Sequence, residues 1–192
     1  MLIKRITAIS IIVILIGVIV YGTLAEEDTT EGGLDDGMIH IQPEGVDVDT
    51  TPIEVGDVPP NFQLKTLDGE TAQLQDYKGK KVFINFWATY CPPCREEMPD
   101  LQKLHDEYDN VEVLAVNAAN LETSEDKVSQ FVDELNLNFP ILLDESGEVN
   151  LRYQAMAIPV TYFINTEGVV QLPKRVGAMS YEQMEEIVEE LD

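Results

Sequence analysis

The sequence predicts an α/β domain in which a mixed central sheet is flanked by helices. Three observations carry that expectation. Strand-like and helix-like patterns alternate from residue 55 onward, which implies parallel pairs joined by crossover connections. The run Lys81-Val-Phe-Ile-Asn-Phe-Trp87 is rich in β-branched and aromatic residues and long enough for a buried strand. Pro92 and Pro93, which no central strand tolerates, follow it closely and suit the first turn of a helix, whose amides lack intrahelical partners anyway.

The chain has 192 residues, 44% of them hydrophobic, enough for one ordinary domain with extensions. Its formal charge of -24 excludes nucleic acid as a partner, because phosphate binding needs clustered Lys and Arg. Lys4 and Arg5 precede an apolar run from Ile6 to Leu24. As a helix that run extends ~28 Å, close to a ~30 Å hydrocarbon core. Residues 1–25 therefore read as a membrane anchor or signal segment. The anchor is the better reading, since a signal-peptide core is usually shorter, although Thr23-Leu24-Ala25 would pass as a cleavage site. The next basic residue is Lys65, and this asymmetry predicts a single pass with the amino terminus inside and the body on the extracytoplasmic face of the cell membrane. A disulfide can persist there. Residues 26–54 hold ten acidic residues and no Lys, Arg or aromatic, so they read as a flexible acidic linker. His40 within it has no ligand spacing.

The domain is expected over residues 55–192. Phe62-Gln-Leu64 and Ala72-Gln-Leu74 flank an Asp68-Gly69 turn and predict a hairpin. After the strand at Lys81–Trp87, a helix beginning at the two prolines continues through Leu101, Leu104 and Tyr108, with Pro99 inside it and His105 on the same face as a packing residue. Val111–Val116 predicts a strand, Asp126–Leu135 a helix, Pro140–Leu143 a strand and Val149–Tyr153 a short helical piece. Val160–Ile164 and Val169–Leu172 form a second hairpin around Asn165–Gly168. Ser180 opens a last helix whose Tyr181, Met184, Ile187, Val188 and Leu191 make one apolar stripe.

The only two cysteines, Cys91 and Cys94, stand where the strand hands over to the helix. Two thiols without a His or Cys at ligand spacing do not complete a zinc site, and no metal is expected. A haem attachment needs His after the second cysteine, where this chain has Arg95. A purely structural bridge closing four residues would contribute only about 2 kcal/mol by chain entropy. Thiol chemistry uses the location better. A sulfur at a helix amino terminus faces free amides and the positive end of the helix dipole, which favours thiolate. Cys91 is the better nucleophile, and Cys94, one turn in, can displace whatever Cys91 captures. Because the prolines have no N–H, the Cys94 amide is the expected donor to the Cys91 sulfur.

Trp87-Ala-Thr-Tyr-Cys-Pro-Pro-Cys94, Pro99, and Ile158-Pro159-Val-Thr161 ahead of a strand resemble the thioredoxin fold. More narrowly, residues 55–192 resemble the ResA/TlpA-like extracytoplasmic thiol-disulfide oxidoreductases. Val55-Gly-Asp-Val-Pro-Pro-Asn-Phe62, Leu67-Asp-Gly69 and Asp76-Tyr-Lys-Gly-Lys80 are similar to that family's approach to its first core strand, and the stretch from Asp126 to Asp144 to its central insertion. The resemblance implies a thioredoxin-like fold with an N-terminal hairpin extension and a helix-bearing insertion. It also implies a catalytic Cys91–Cys94 pair with no cofactor beyond that redox-active disulfide, and Glu97 beneath it as a proton carrier. Trp87, Tyr90, Pro92, Ile158 and a cis Pro159 are set against the substrate, with Trp87 shielding the sulfurs. Tyr90 stands where such proteins often carry Trp, and Pro-Pro replaces the Glu-Pro of some members.

The activity implied is reduction of disulfides in exported proteins, apocytochrome c foremost, with electrons from a membrane thiol transporter of the CcdA/DsbD kind. A disulfide-introducing oxidase or isomerase and a non-catalytic binding module are the alternatives. A peroxiredoxin is disfavoured because Ala88 occupies the Thr/Ser position before Cys91. A copper-delivery protein of similar fold would have C-x-x-x-C and a downstream His.

Overall fold

The computed structural model describes residues 48–192, so the expected anchor and most of the expected acidic linker lie outside the described residues. Among the described residues the strands are β1 (Gln63–Thr66), β2 (Thr71–Gln73), β3 (Lys81–Trp87), β4 (Val111–Asn117), β5 (Ile141–Leu143), β6 (Val160–Ile164) and β7 (Val170–Val176). The helices are α1 (Pro92–Glu107), α2 (Glu125–Leu135), α3 (Glu148–Arg152) and α4 (Tyr181–Glu190). The strands form one mixed sheet in the order β2-β1-β5-β4-β3-β6-β7.

Strand direction is what brings the important loops together. β3 and β4 are parallel and in register from Lys81 opposite Val111 to Trp87 opposite Asn117, so both end at the same edge of the sheet. β6 runs antiparallel to β3 with Val160 opposite Phe86, so β6 begins at that same edge. The segments after Trp87, after Asn117 and before Val160 are therefore neighbours, although they are far apart in sequence.

Alternation along β3 divides the apolar interior in two. Phe83 and Trp87 join Met98, Leu101 and Leu104 of α1, Phe131 of α2 and Met184 of α4 on one face. Ile84 and Phe86 join Leu114, Leu142, Tyr153 and Tyr162 on the other. β4, the middle strand of seven, is buried along its whole length, in keeping with its nearly unbroken apolar run.

Several boundaries differ from the sequence expectation. Leu74 leaves the hairpin to begin a 3-10 turn, Leu74–Tyr77. The last strand runs on to Val176 through Pro173. β7 pairs only with β6, so a residue without an N–H is tolerated there, and the register shifts near Phe163. Residues just before 55 also touch the domain: Gln154 Nε2 donates to the Thr50 carbonyl at 2.7 Å, and Ile53 packs against the second core. No helix among the described residues is long and apolar enough to cross a membrane.

Leu114 is wholly buried at the centre of β4. Leu114→Ala is expected to lower unfolding stability by about 2–5 kcal/mol through lost burial and a residual cavity, read as a shifted denaturant midpoint.

Candidate active site

β3 stops at Trp87, and four residues later Cys91 caps α1. Its backbone is extended (φ -91°, ψ 106°), and its Sγ accepts a hydrogen bond from Cys94 N at 3.3 Å. The sequence explains this local geometry. An α-helix leaves its first amides unpaired. Pro92 and Pro93 have none to offer, which leaves Cys94 N–H as the first available donor. The two cysteines form a disulfide with Cα atoms 5.3 Å apart. Cys94 is completely buried, whereas Cys91 keeps 7% of its surface open, so an incoming thiol or disulfide reaches Cys91 first.

The loop before β6 closes over that sulfur. The Ile158–Pro159 peptide bond is cis. The Ile158 carbonyl oxygen lies 3.7 Å from Cys91 Sγ, and Gly177 N donates to the Pro159 carbonyl at 2.8 Å. Ile158 is half-buried, Pro159 buried and Pro92 exposed. Tyr90 is 56% exposed beside Cys91. An extended chain laid along Ile158 would thus meet the open side of the disulfide.

Trp87 is placed differently from the other residues expected to face a substrate. It is wholly buried, and its ring centre lies 5.0 Å from that of Phe131. The reason is strand phase: Trp87 ends β3 on the face covered by α1 and α2. It belongs to the cluster that holds both cysteines, backing them from within the core and presenting no face to a substrate.

Glu97, one turn beyond Cys94, is 1% exposed and has no cation beside it among its hydrogen-bond partners. Its Oε1 accepts from Asn85 Nδ2 at 2.8 Å and its Oε2 from Met179 N at 3.2 Å. The same Asn85 amide donates to Thr161 Oγ1 at 3.0 Å. Burial pushes the Glu97 carboxyl from an ordinary 4.5 up to about 7; the bonds from Asn85 and Met179 pull against that, and nearby Asp100 adds to it. The carboxyl can therefore take up or release a proton near neutrality. Asn85, Thr161 and Met179 were not singled out by sequence reasoning, and the one available signal was Asn85, a polar residue inside an apolar strand. His105 lies farther along α1, its ring edge-on to Phe139 and its Nδ1 3.8 Å from Glu112. Among the described residues no group of three His, Cys, Asp or Glu is arranged to hold a metal ion.

Comparison with known proteins agrees with this geometry. The AhpC/TSA family matches residues 55–172. The thioredoxin-like protein YneN of Bacillus subtilis is 49% identical over 135 residues, covering 70% of this chain and 78% of that one. The thiol-disulfide oxidoreductase ResA of Halalkalibacterium halodurans is 42% identical over 131 residues, covering 67% and 72%. The crystal structure of StoA from Bacillus subtilis superposes with a TM-score of 0.60 at 34% identity, over 68% of this chain and 98% of that one.

The raised Glu97 carboxyl has a consequence for stability. Between an unfolded value near 4.5 and a folded value near 7, the native state keeps a proton that the unfolded chain has released. This group's contribution therefore makes stability fall as pH rises through that window, and stay lower above it. Glu97→Gln is expected to flatten this part of the pH profile and to exceed the parent in stability at alkaline pH, measured by urea unfolding. Parallel profiles for the two proteins would contradict it.

Proposed function

The chain belongs to the AhpC/TSA family and is a thiol-disulfide oxidoreductase of the ResA and StoA type, and we propose that it works as a membrane-tethered reductase of disulfides in exported proteins. The observation that carries the reading is the capped sulfur: Cys91 Sγ accepts the Cys94 amide, keeps an open side, and lies against Ile158. The tether is the apolar segment at residues 6–24, with Lys4 and Arg5 on its inner side. The dithiol itself is the redox centre, and no further cofactor is required.

In the reduced protein, Cys91 thiolate attacks one sulfur of a substrate disulfide. The substrate S–S bond breaks, a Cys91–substrate disulfide forms, and the other substrate sulfur leaves as thiolate and takes a proton. Cys94 then gives its proton to the Glu97 carboxylate and attacks Cys91 Sγ. The second substrate sulfur leaves, and the Cys91–Cys94 disulfide remains. Two electrons have passed to the substrate, and a membrane dithiol carrier of the CcdA/DsbD kind restores them. Tyr90, Pro92, Ile158 and Pro159 border the approach to Cys91 and hold the substrate chain, with the Ile158 backbone as its hydrogen-bonding edge. The substrate favoured by the family resemblance is the haem-binding C-x-x-C-H segment of apocytochrome c, and the strongly acidic chain suits a basic partner of that kind.

Equilibration with glutathione tests the direction of electron flow. A potential near ~-270 mV supports reduction, and one near ~-120 mV would reassign the protein to disulfide formation. Cys94→Ala is expected to accumulate mixed disulfides on Cys91, and mass spectrometry of the captured proteins in the native host identifies the substrate. With Glu97 as base, turnover should rise with pH through about 7, the value set by its burial. Glu97→Gln should lose that limb and slow by a factor on the order of 10²–10⁴, as expected for removal of a general base.

A further inference from the structure

The residue two places before Cys91 is held on every polar atom it has. Thr89 N donates to Glu122 Oε1 at 2.7 Å, and Thr89 Oγ1 donates to Glu122 Oε2 at 2.6 Å. Arg95 Nη1 approaches the Thr89 carbonyl at 3.5 Å, while its guanidinium lies 4.7 Å over the Phe131 ring. Asn117 Nδ2 donates to Glu122 Oε1 at 3.1 Å and fixes the carboxylate in turn. Thr89 thus stands between α1 on one side and the connection between β4 and α2 on the other.

Glu122 is unusual for an acid in a polar loop. Neighbouring Leu121 and Thr123 are exposed, yet Glu122 is turned inward and half-buried. Both its oxygens are used, and all of its donors are neutral. Hydrogen bonds to an ionised carboxylate are among the stronger ones, so this is a stiff link.

From these contacts we infer that Glu122 is a positioning residue for the Cys91 nucleophile. It holds the loop Ala88–Tyr90 so that Cys91 stays at the helix cap with its sulfur under the Cys94 amide. The chain of contacts is short. Asn117 pairs with Trp87 across β3 and β4, Ala118 N donates to the Trp87 carbonyl at 3.0 Å, and Cys91 N donates to the Ala88 carbonyl at 3.3 Å. Glu122 joins the two strand ends at the point where the chain has left the sheet and not yet entered the helix. The connection between β4 and α2 is thereby part of the thiol site, although it contributes no sulfur and no proton. This role goes beyond the direction of electron flow and holds for a reductase or an oxidase alike.

Two effects of the carboxylate oppose one another. Its bonds hold the loop and so stabilise Cys91 thiolate through the helix cap; its negative charge disfavours a thiolate nearby. The other charged and titratable neighbours of the loop are Arg95 and Glu97 on α1 and Tyr90 itself. Tyr90 has its phenol pushed up by partial burial and then by the Glu122 charge. Because three donors point at Glu122, holding the loop outweighs the charge.

Gln and Ala separate the two effects. Glu122→Gln removes the charge but keeps the link, since its oxygen can accept from Thr89 N and Asn117 and its amide can donate to Thr89 Oγ1. Glu122→Ala removes both. The experiment reduces the full-length protein and each variant, then follows exchange with 5,5′-dithiobis(2-nitrobenzoate) from acid to alkaline pH, with thermal unfolding in parallel. Glu122→Ala removes all three bonds and is expected to slow exchange near neutral pH about tenfold, because only part of that loss reaches Cys91 through the loop. Its midpoint should rise toward the ~8.5 of a free cysteine. Glu122→Gln should keep at least the parent rate and leave the midpoint at or below that of the parent, since the link stays while the charge goes. The inference is overturned if Ala matches the parent, or if Gln raises the midpoint as far as Ala does. Should the Ala variant fail to unfold cooperatively, Thr89→Val, which removes only the hydroxyl donor, replaces it and must move the midpoint in the same upward direction.

Discussion

At the junction of β3 and α1, an amide that the helix cannot use points at a sulfur. The Cys94 N–H to Cys91 Sγ contact follows from a general property of helices, their unpaired first turn, combined with two prolines that cannot compete as donors. A donor at this place favours thiolate over thiol, and the proposed role of Cys91 as nucleophile and leaving group rests on that contact. The surrounding architecture serves to hold this junction still. The parallel register of β3 and β4 places the Glu122 connection beside it, and the antiparallel β6 brings Ile158 and Pro159 over it.

Beneath the sulfurs, the fold accepts a destabilising feature. Burying a carboxyl with neutral partners only is unfavourable for its charged form, as the raised Glu97 value records. Replacing it by an apolar residue would leave Asn85 Nδ2 and Met179 N without these acceptors. In the proposed mechanism this carboxyl, one helical turn beyond Cys94, carries the proton that thiol exchange must move. Stability and chemistry therefore oppose each other at Glu97. The apolar cluster that includes Trp87, Phe131, Met98 and Leu101 supplies the dry surroundings in which that opposition arises.

The junction was legible in the sequence because strand, prolines and cysteines are contiguous there, and local chemistry decides the local structure. The stripe of α4 was legible for the same reason. What the sequence conceals is assembled from distant segments. Asn85 and Met179 meet Glu97, and Thr161 meets Asn85, only because β3, β6 and the entry to α4 converge. Glu122 looks like any acid in the polar run Asn120–Asp126 until the loop is seen folded inward. β7 runs past the expected Val169–Leu172 because an edge strand tolerates Pro173, and sequence alone does not show which strand lies at the edge. The phase of β3 puts Phe83, Asn85 and Trp87 on one face, and that alternation is the sequence signal for an inward Trp87.

The most direct test is the order in which the two reduced thiols ionise, obtained by alkylating the native protein across pH and mapping the modified cysteine by mass spectrometry. A capped, partly open Cys91 above a buried Cys94 predicts that Cys91 reacts first, with a midpoint clearly below the ~8.5 of a free cysteine, while Cys94 stays protected until the protein unfolds. Modification of Cys94 first, or a Cys91 midpoint at or above ~8.5, would contradict the account at its root.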